Sequence, residues 1–152
     1  MKKMKQIMKD EEGLTLVELL AVVVIMAIIA GIAAVSISKV IQRTREDAQV
    51  SNVQQMLASA NLYDIQEEKG IPEGGIDLDT LHESGNIKSI EFAESGQTNS
   101  IKFEKDEKGV ISIDLPDGAL TAGKEPNNAI IVSEEDSGSL NRKKLFGDEE
   151  SK

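Results

Sequence analysis

Cysteine and tryptophan are absent from this 152-residue sequence, and His82 is its single histidine. Without cysteine, no disulfide can stabilise the fold in any compartment. The absence of cysteine also excludes a Cys–His catalytic pair, and a single histidine excludes a His-rich metal site. No motif pairs His82 with a nucleophilic serine. The sequence therefore predicts a protein that is not an enzyme.

Aromatic residues are also scarce, with three Phe and one Tyr. A core must then be built from Ile, Leu, Val, Ala and Met. The formal net charge is −10. Because phosphate binding needs clustered Lys and Arg, this acidic balance argues against nucleic acid as a direct partner.

The apolar residues are concentrated in one segment near the start of the chain. Residues 14–38 contain a single charged side chain, Glu18, and residues 19–37 contain none. A run of about 20 apolar residues is what a helix needs to cross a bilayer core. The leader before it, residues 1–13, has four Lys against three acidic residues, whereas residues 39–152 carry the acidic charge. This distribution predicts a transmembrane helix followed by an acidic soluble part.

Three kinds of N-terminal membrane segment fit an apolar run of this sort. A cleaved signal peptide typically has a shorter apolar region than this one. If the segment were a signal peptide, the mature chain would begin near Ser38. A simple membrane anchor fits the length but gives no reason for Glu18. A carboxylate inside an apolar segment is costly, so it marks a functional site unless it lies at the headgroup level.

The residues around Glu18 favour a third kind. The string Glu12-Gly13-Leu14-Thr15-Leu16-Val17-Glu18, followed by a long apolar helix and preceded by a basic leader, resembles the cleavage and methylation motif of type IV prepilins and pseudopilins. The resemblance is close over about the first sixty residues. It implies cleavage after Gly13 by a prepilin peptidase and N-methylation of the new N-terminal residue, Leu14.

The same resemblance implies roles in assembly. Glu18 would pair with the N-terminal amine of a neighbouring subunit when both enter the core of a filament. The small residues Ala27, Gly31 and Ala34 would let helices pack closely there, as small residues do between membrane helices. The implied partners are the peptidase, other pilin copies, an assembly platform and the cytoplasmic membrane.

The remaining sequence predicts an α+β fold. No Pro or Gly interrupts the chain between Gly31 and Gly70, so residues 14–68 are predicted as one helix, with an apolar stripe from Val50 to Ala60 in its second half. Asp79 is predicted to cap a short helix that ends at Gly85. Antiparallel strands are expected at residues 87–93, 100–105 and 110–115, with a hairpin turn at 106–109 and a fourth strand or loop anchor at 129–132.

This pattern divides the chain into four parts. Residues 1–13 form the leader, 14–38 the transmembrane or filament-core helix, 39–137 a globular domain that includes the amphipathic helix half, and 138–152 a poorly ordered tail. Within the domain, Glu134, Glu135 and Asp136 are weak candidates for a Ca²⁺ site, although an acidic run is more often a solvated loop. No other cofactor is expected.

The resemblance thus implies a structural subunit, made as a single-pass protein of the cytoplasmic membrane and assembled into a surface filament. Such filaments serve adhesion and motility, DNA uptake or protein secretion. The alternative is a single-pass membrane-anchored protein whose acidic domain binds an extracellular partner.

Processing is the first testable consequence. In cells that contain a prepilin peptidase, the mature chain should begin at Leu14 and carry a methyl group, as mass spectrometry would reveal. Gly13→Glu should block cutting, because a charged side chain replaces the hydrogen that lets the backbone extend into the protease. A mature protein that still begins at Met1 would contradict the prepilin interpretation.

Overall fold

The computed structural model describes residues 2–123 and 125–147, and side chains from residue 15 onward except that of residue 125. Helix α1, Lys2–Gln66, begins the chain. The chain divides into two compact units, Met1–Ile41 and Gln42–Lys152. The first consists of helix, and the second contains the sheet and all the buried core residues.

In the second unit, α1 turns an apolar stripe towards the core. Val53, Met56 and Ala60 are fully buried, and Val50 and Leu57 are nearly so. Their spacing of three and four residues puts them on one face of a 3.6-residue helix. The predicted stripe is confirmed, and the predicted α+β layout is confirmed with it.

Beyond α1 come short elements in the order β1 (Ile76–Asp77), α2 (Leu78–Glu83), β2 (Lys102–Lys105), β3 (Ile111–Leu115), β4 (Thr121–Ala122), β5 (Glu125–Pro126), β6 (Ile130–Ser133) and α3 (Arg142–Phe146). Strands β1, β2, β3 and β6 form an antiparallel sheet in that order. Strands β4 and β5 form a separate two-stranded hairpin.

The main sheet has one buried and one exposed face, as period-two alternation requires. The buried side chains are Ile76, Phe103, Ile111, Ile113, Leu115 and Val132. Asp106 closes the β2–β3 hairpin, because its carboxylate accepts the backbone N–H groups of Lys108 and Val110. Gly109 provides the positive φ of +87° in this turn. Both strands and the turn between them lie where the sequence predicts them.

Two local predictions were wrong. Residues 87–93 form no strand, since only Ala93 makes a bridge, to Leu120. Ile87 is buried there as a loop anchor, and Ala93 N–H donates to the Ile90 carbonyl in a turn, so the apolar residues pack without strand pairing. The cap of α2 is Asp77, not Asp79, because the chain leaves β1 directly into the helix. Strands β1, β4 and β5 were not predicted.

The expectation of poor order after residue 137 does not hold for residues 138–147. They include α3, which Asn141 caps by accepting the Lys144 N–H, and they bury Leu140 and Leu145. These two apolar residues anchor a segment whose composition is otherwise polar, and Asn128 N–H donates to the Leu145 carbonyl. Residues 148–152 lie outside the described part of the chain.

Asp64, near the end of α1, joins three parts of the domain. Its carboxylate accepts the Ile71 N–H at 2.8 Å and the Lys105 ammonium at 2.7 Å. Gly70 lies so close that a Cβ there would come within 2.5 Å of the Asp64 carboxylate. The hydrogen bond from Lys105, followed by that from Ile71, lowers the pKa of Asp64 below its ordinary 3.8.

These contacts predict a pH-dependent contribution to stability. The folded-state pKa of Asp64 is lowered, so the stability that its ionised carboxylate contributes is present above pH 4. This stability is lost as the pH falls through the folded-state pKa. Asp64→Asn should lower the free energy of unfolding of a Gln42–Lys152 fragment by about 1–2 kcal/mol at pH 7. Denaturant unfolding at several pH values would measure this, and the difference from wild type should shrink in acid. Asp114→Asn, at an exposed position of β3, is the matched control and should change little. An equal effect at both positions would contradict the assignment.

Candidate functional site: the apolar N-terminal helix

The first half of α1 exposes its apolar side chains on every face. From Thr15 to Val40 every side chain is exposed except that of Ala33, which is half-buried. The exposed fractions include 67% for Leu16, 66% for Met26 and 66% for Ile32. Burying one such side chain stabilises a protein by about 1.5–3 kcal/mol, so leaving all of them in water is strongly unfavourable. This segment requires lipid or other apolar helices around it.

Length and composition agree with that requirement. The helix contains an 18-residue window of mean hydropathy 2.9, none of it buried within the structure. Two hydroxyls in the segment bond within the helix: Ser36 donates to the Ile32 carbonyl at 3.2 Å and Ser38 to the Ala34 carbonyl at 3.0 Å. These bonds reduce the cost of placing hydroxyls in an apolar environment. The described part of the chain has one helix suited to crossing a membrane.

Glu18 lies in the first described turns of this segment, and its side chain is exposed. Four residues separate it from position 14, so both positions lie on the same face of the helix. The Leu14 side chain lies outside the described residues, and the pairing of Glu18 with an amine stays a prediction.

The small residues are also exposed. Ala27 and Ala34 lie on the exposed surface of α1, and a Cβ added at Gly31 would meet no atom within 4 Å. Their proposed role in helix packing therefore stays a prediction.

A polar group that sequence reasoning missed begins where the apolar segment ends. Gln42 donates to the Ala122 carbonyl at 2.6 Å, and Gln49 donates to the Thr121 carbonyl at 2.7 Å. Gln42 also donates to the carboxylate of Glu46, which is only 5% exposed. Positions 42, 46 and 49 continue the spacing of the buried stripe that passes through position 53. This spacing is the feature of the sequence that could have identified the polar group. Gln42 and Gln49 attach the β4–β5 hairpin to the helix, and Glu46 accepts a hydrogen bond from Gln42.

Asn127 organises the base of the same hairpin and was also missed. It is fully buried, its side-chain carbonyl accepts the Leu120 N–H, and its amide donates to the Pro116 and Asn128 carbonyls. Two Asn directly after Pro126 predict a turn in the sequence, so only the tertiary structure shows that Asn127 is buried.

The acidic residues suggested for Ca²⁺ do not converge. Among the described residues, no three His, Cys, Asp or Glu side chains are placed to hold a metal ion. Asp136 instead accepts the Ser133 hydroxyl at 2.9 Å, while Glu134 and Glu135 are exposed. His82 is exposed, and its Nδ1 lies 3.0 Å from the Ile87 carbonyl. Calcium binding stays a prediction.

Comparison with known families matches the start of the apolar helix to a known motif. Residues 8–34 match the model of the prokaryotic N-terminal methylation motif. The chain carries the prepilin-type cleavage and methylation signal. Neither the search of curated proteins nor that of solved structures found a match.

The prepilin-type signal and the exposed apolar helix together fit a type IV pilin-like precursor anchored in a membrane. The motif belongs to a family of structural subunits, not of enzymes. It implies processing by a prepilin peptidase and assembly with other pilins. The matched span contains Gly13, Leu14 and Glu18, and it ends before the polar group at Gln42.

The exposure of the two units predicts different solubilities. A fragment of residues 42–152 should be soluble and folded, because its buried core lies wholly within it. The full chain should require detergent or membrane, because the apolar residues before Ile41 stay exposed. Size-exclusion chromatography and circular dichroism would test both. Unfolding of the fragment would show that its core depends on residues before Gln42.

Proposed function

We propose that this protein is the precursor of a type IV pilus or pseudopilus subunit, cleaved after Gly13 and assembled through α1 into a helical filament. The observation that carries the proposal is the prepilin-type signal at residues 8–34, joined to a helix whose apolar residues are exposed on all sides. A filament core of bundled helices would cover those residues once the subunit leaves the membrane.

In this proposal the membrane stores the subunit before assembly. The cytoplasmic membrane holds the precursor by residues 14–38, and an assembly platform moves the processed subunit into the growing filament. The acidic unit, with its own buried core, faces outward and gives the filament its surface. The filament acts in adhesion and motility, DNA uptake or protein secretion.

Glu18 acts in assembly rather than in membrane insertion. Cleavage after Gly13 creates an amine at Leu14 that is cationic at neutral pH. In a core of apolar helices, an unpaired charge is very costly, whereas a paired one is tolerable. Glu18 of one copy therefore pairs with the amine of its neighbour and favours one axial offset between subunits.

Glu18→Ala tests this role. Insertion and cleavage should remain nearly intact, because the change removes a costly polar group from an apolar segment. Assembly should fail, because breaking a buried ion pair costs about 3–5 kcal/mol. The measurement is the yield of filaments sheared from cells that express only the variant, with processing confirmed by mass.

Glu18→Gln is the matched variant, since it keeps the size and the hydrogen bonding of the side chain and removes the charge. Loss of filaments in both variants would support ion pairing. Normal yield in both would place Glu18 at the headgroup level, with no role in assembly. An uncut chain and no filaments in wild type would favour a simple membrane anchor with an extracellular binding domain.

A further inference from the structure

Strand β6 is an edge of the main sheet without the features that usually prevent further pairing. Among the described residues it pairs only with β3, so its other side is open. Natural edge strands are usually very short or carry charged residues or Pro, because an open edge offers unpaired backbone groups to other strands. The opposite edge, β1, has two residues and the charge of Asp77. β6 has four residues, and it alone among the four strands of this sheet lacks a charged side chain.

The hydrogen-bonding pattern shows which backbone groups of β6 face the open side. Glu134 N–H donates to the Ile111 carbonyl, and the register places Val132 opposite Ile113. Because bonded pairs alternate along an antiparallel ladder, positions 130, 132 and 134 direct their N–H and C=O groups to β3. Positions 129, 131 and 133 direct theirs to the open side. Ile131 also presents its side chain, 69% exposed, on the outer face of the sheet.

The segment that follows β6 leaves this edge accessible. Asp136 N–H donates to the Ser133 carbonyl, so the chain turns away at the end of the strand. Gln54 of α1 donates to the Ser137 carbonyl, which places the turn against the helix and not along the edge. A shallow groove of about 180 Å³ remains beside the strand, lined by residues 130–132 together with Asp136, Leu140 and Lys144. The edge therefore has room for another strand.

The charges around β6 suit a second copy of the same strand. Residues 126–133 are eight consecutive positions without charge, although residues 42–152 carry 12 Lys and Arg against 23 Asp and Glu, a net charge of −11. In an antiparallel pair centred on Ile131 of both copies, Glu134 of one copy lies opposite Asn128 of the other. The two acidic runs then begin about 20 Å apart along the strands, well beyond the Debye length of about 8 Å at physiological salt. The pairing brings neutral residues together and keeps the acidic runs apart.

We propose that β6 pairs antiparallel with β6 of a second copy of this chain, centred on Ile131, so that two four-stranded sheets join into one. The Ile131 side chains of the two copies then pack beside each other, and the backbone groups of positions 129, 131 and 133 pair across the edge. Both copies use the same surface, so the association closes at two copies. The contact does not depend on the proposed filament, since its residues lie wholly in the second unit.

Spin labels on the full chain in detergent can measure this pairing. The chain has no cysteine, so Lys102→Cys creates a single labelling site at an exposed position of β2. Lys102 lies opposite Asp114, which lies opposite Ile131, so the labels of two paired copies lie in one row across the joined sheet. The labelled positions are then separated by the width of the inner strands, about 24 Å between backbones at about 4.8 Å per strand. Double electron–electron resonance should show this separation.

Two exposed isoleucines supply matched variants of the labelled chain. Ile131→Lys adds a charge at the edge, whereas Ile65→Lys adds the same charge on α1, where Ile65 is 79% exposed. The population at this separation should fall about tenfold or more with Ile131→Lys, because like charges directly opposite each other in a sheet repel. It should change by less than about twofold with Ile65→Lys, as is usual for surface substitutions. Both variants should keep the wild-type circular dichroism, because both positions are exposed.

Chemical cross-linking gives a second readout. In the full chain, Ile131→Cys places one thiol at the centre of the proposed contact, and a short bismaleimide should link two copies there. The same reagent should link copies through Lys102→Cys about tenfold less, because a separation of about 24 Å exceeds its reach.

Absence of this separation from the labelled chain with both isoleucines intact would overturn the proposal and favour a strand of a different protein as the occupant of the edge. Equal loss or equal retention of the separation in Ile131→Lys and Ile65→Lys would overturn it too, as would equal cross-linking at positions 131 and 102. None of these results bears on the proposed function, which is tested by processing and filament yield, so the two failures are distinguishable.

Discussion

The exposure of an apolar helix is the constraint on which the rest of this protein depends. From Thr15 to Val40, nearly every side chain is exposed, and the segment contains two charged residues, Glu18 near its start and Lys39 near its end. The core of the second unit consists of that unit's own residues. Stability of the whole therefore depends on what surrounds the helix, first lipid and then, in the proposed filament, other copies.

The second half of the same helix packs within the second unit. Val53, Met56 and Ala60 build the core with the sheet, while Gln42 and Gln49 use side-chain amides to hold carbonyls of the β4–β5 hairpin. Along this half of α1, polar packing at positions 42–49 precedes apolar packing from Val50 onward. Buried amides that are fully hydrogen-bonded cost little, and they determine one position of the hairpin more strictly than apolar contacts do.

The two parts of the chain differ in net charge. The net charge of −11 lies on residues 42–152, whereas residues 14–41 carry only Glu18 and Lys39 and have no net charge. A strongly acidic surface keeps free subunits soluble and apart. A filament of such subunits needs surfaces with little charge, and in the proposed filament the apolar segment of α1 provides them.

Periodicity and composition alone determined the long helix, its change from apolar to amphipathic character and the β2–β3 hairpin, since these depend on local residues. The prepilin-type signal was indicated by the resemblance of the residues around Gly13 and Glu18 to a known motif. Only the tertiary structure decided the rest. Residues 87–93 have strand-like composition but find no neighbouring strand, Asp77 rather than Asp79 caps α2 because β1 precedes it, and Leu145 orders a tail that looks polar. Asn127 and Glu46 are buried by contacts distant in sequence. Burial and pairing of this kind depend on which segments meet in space, and no local pattern records that.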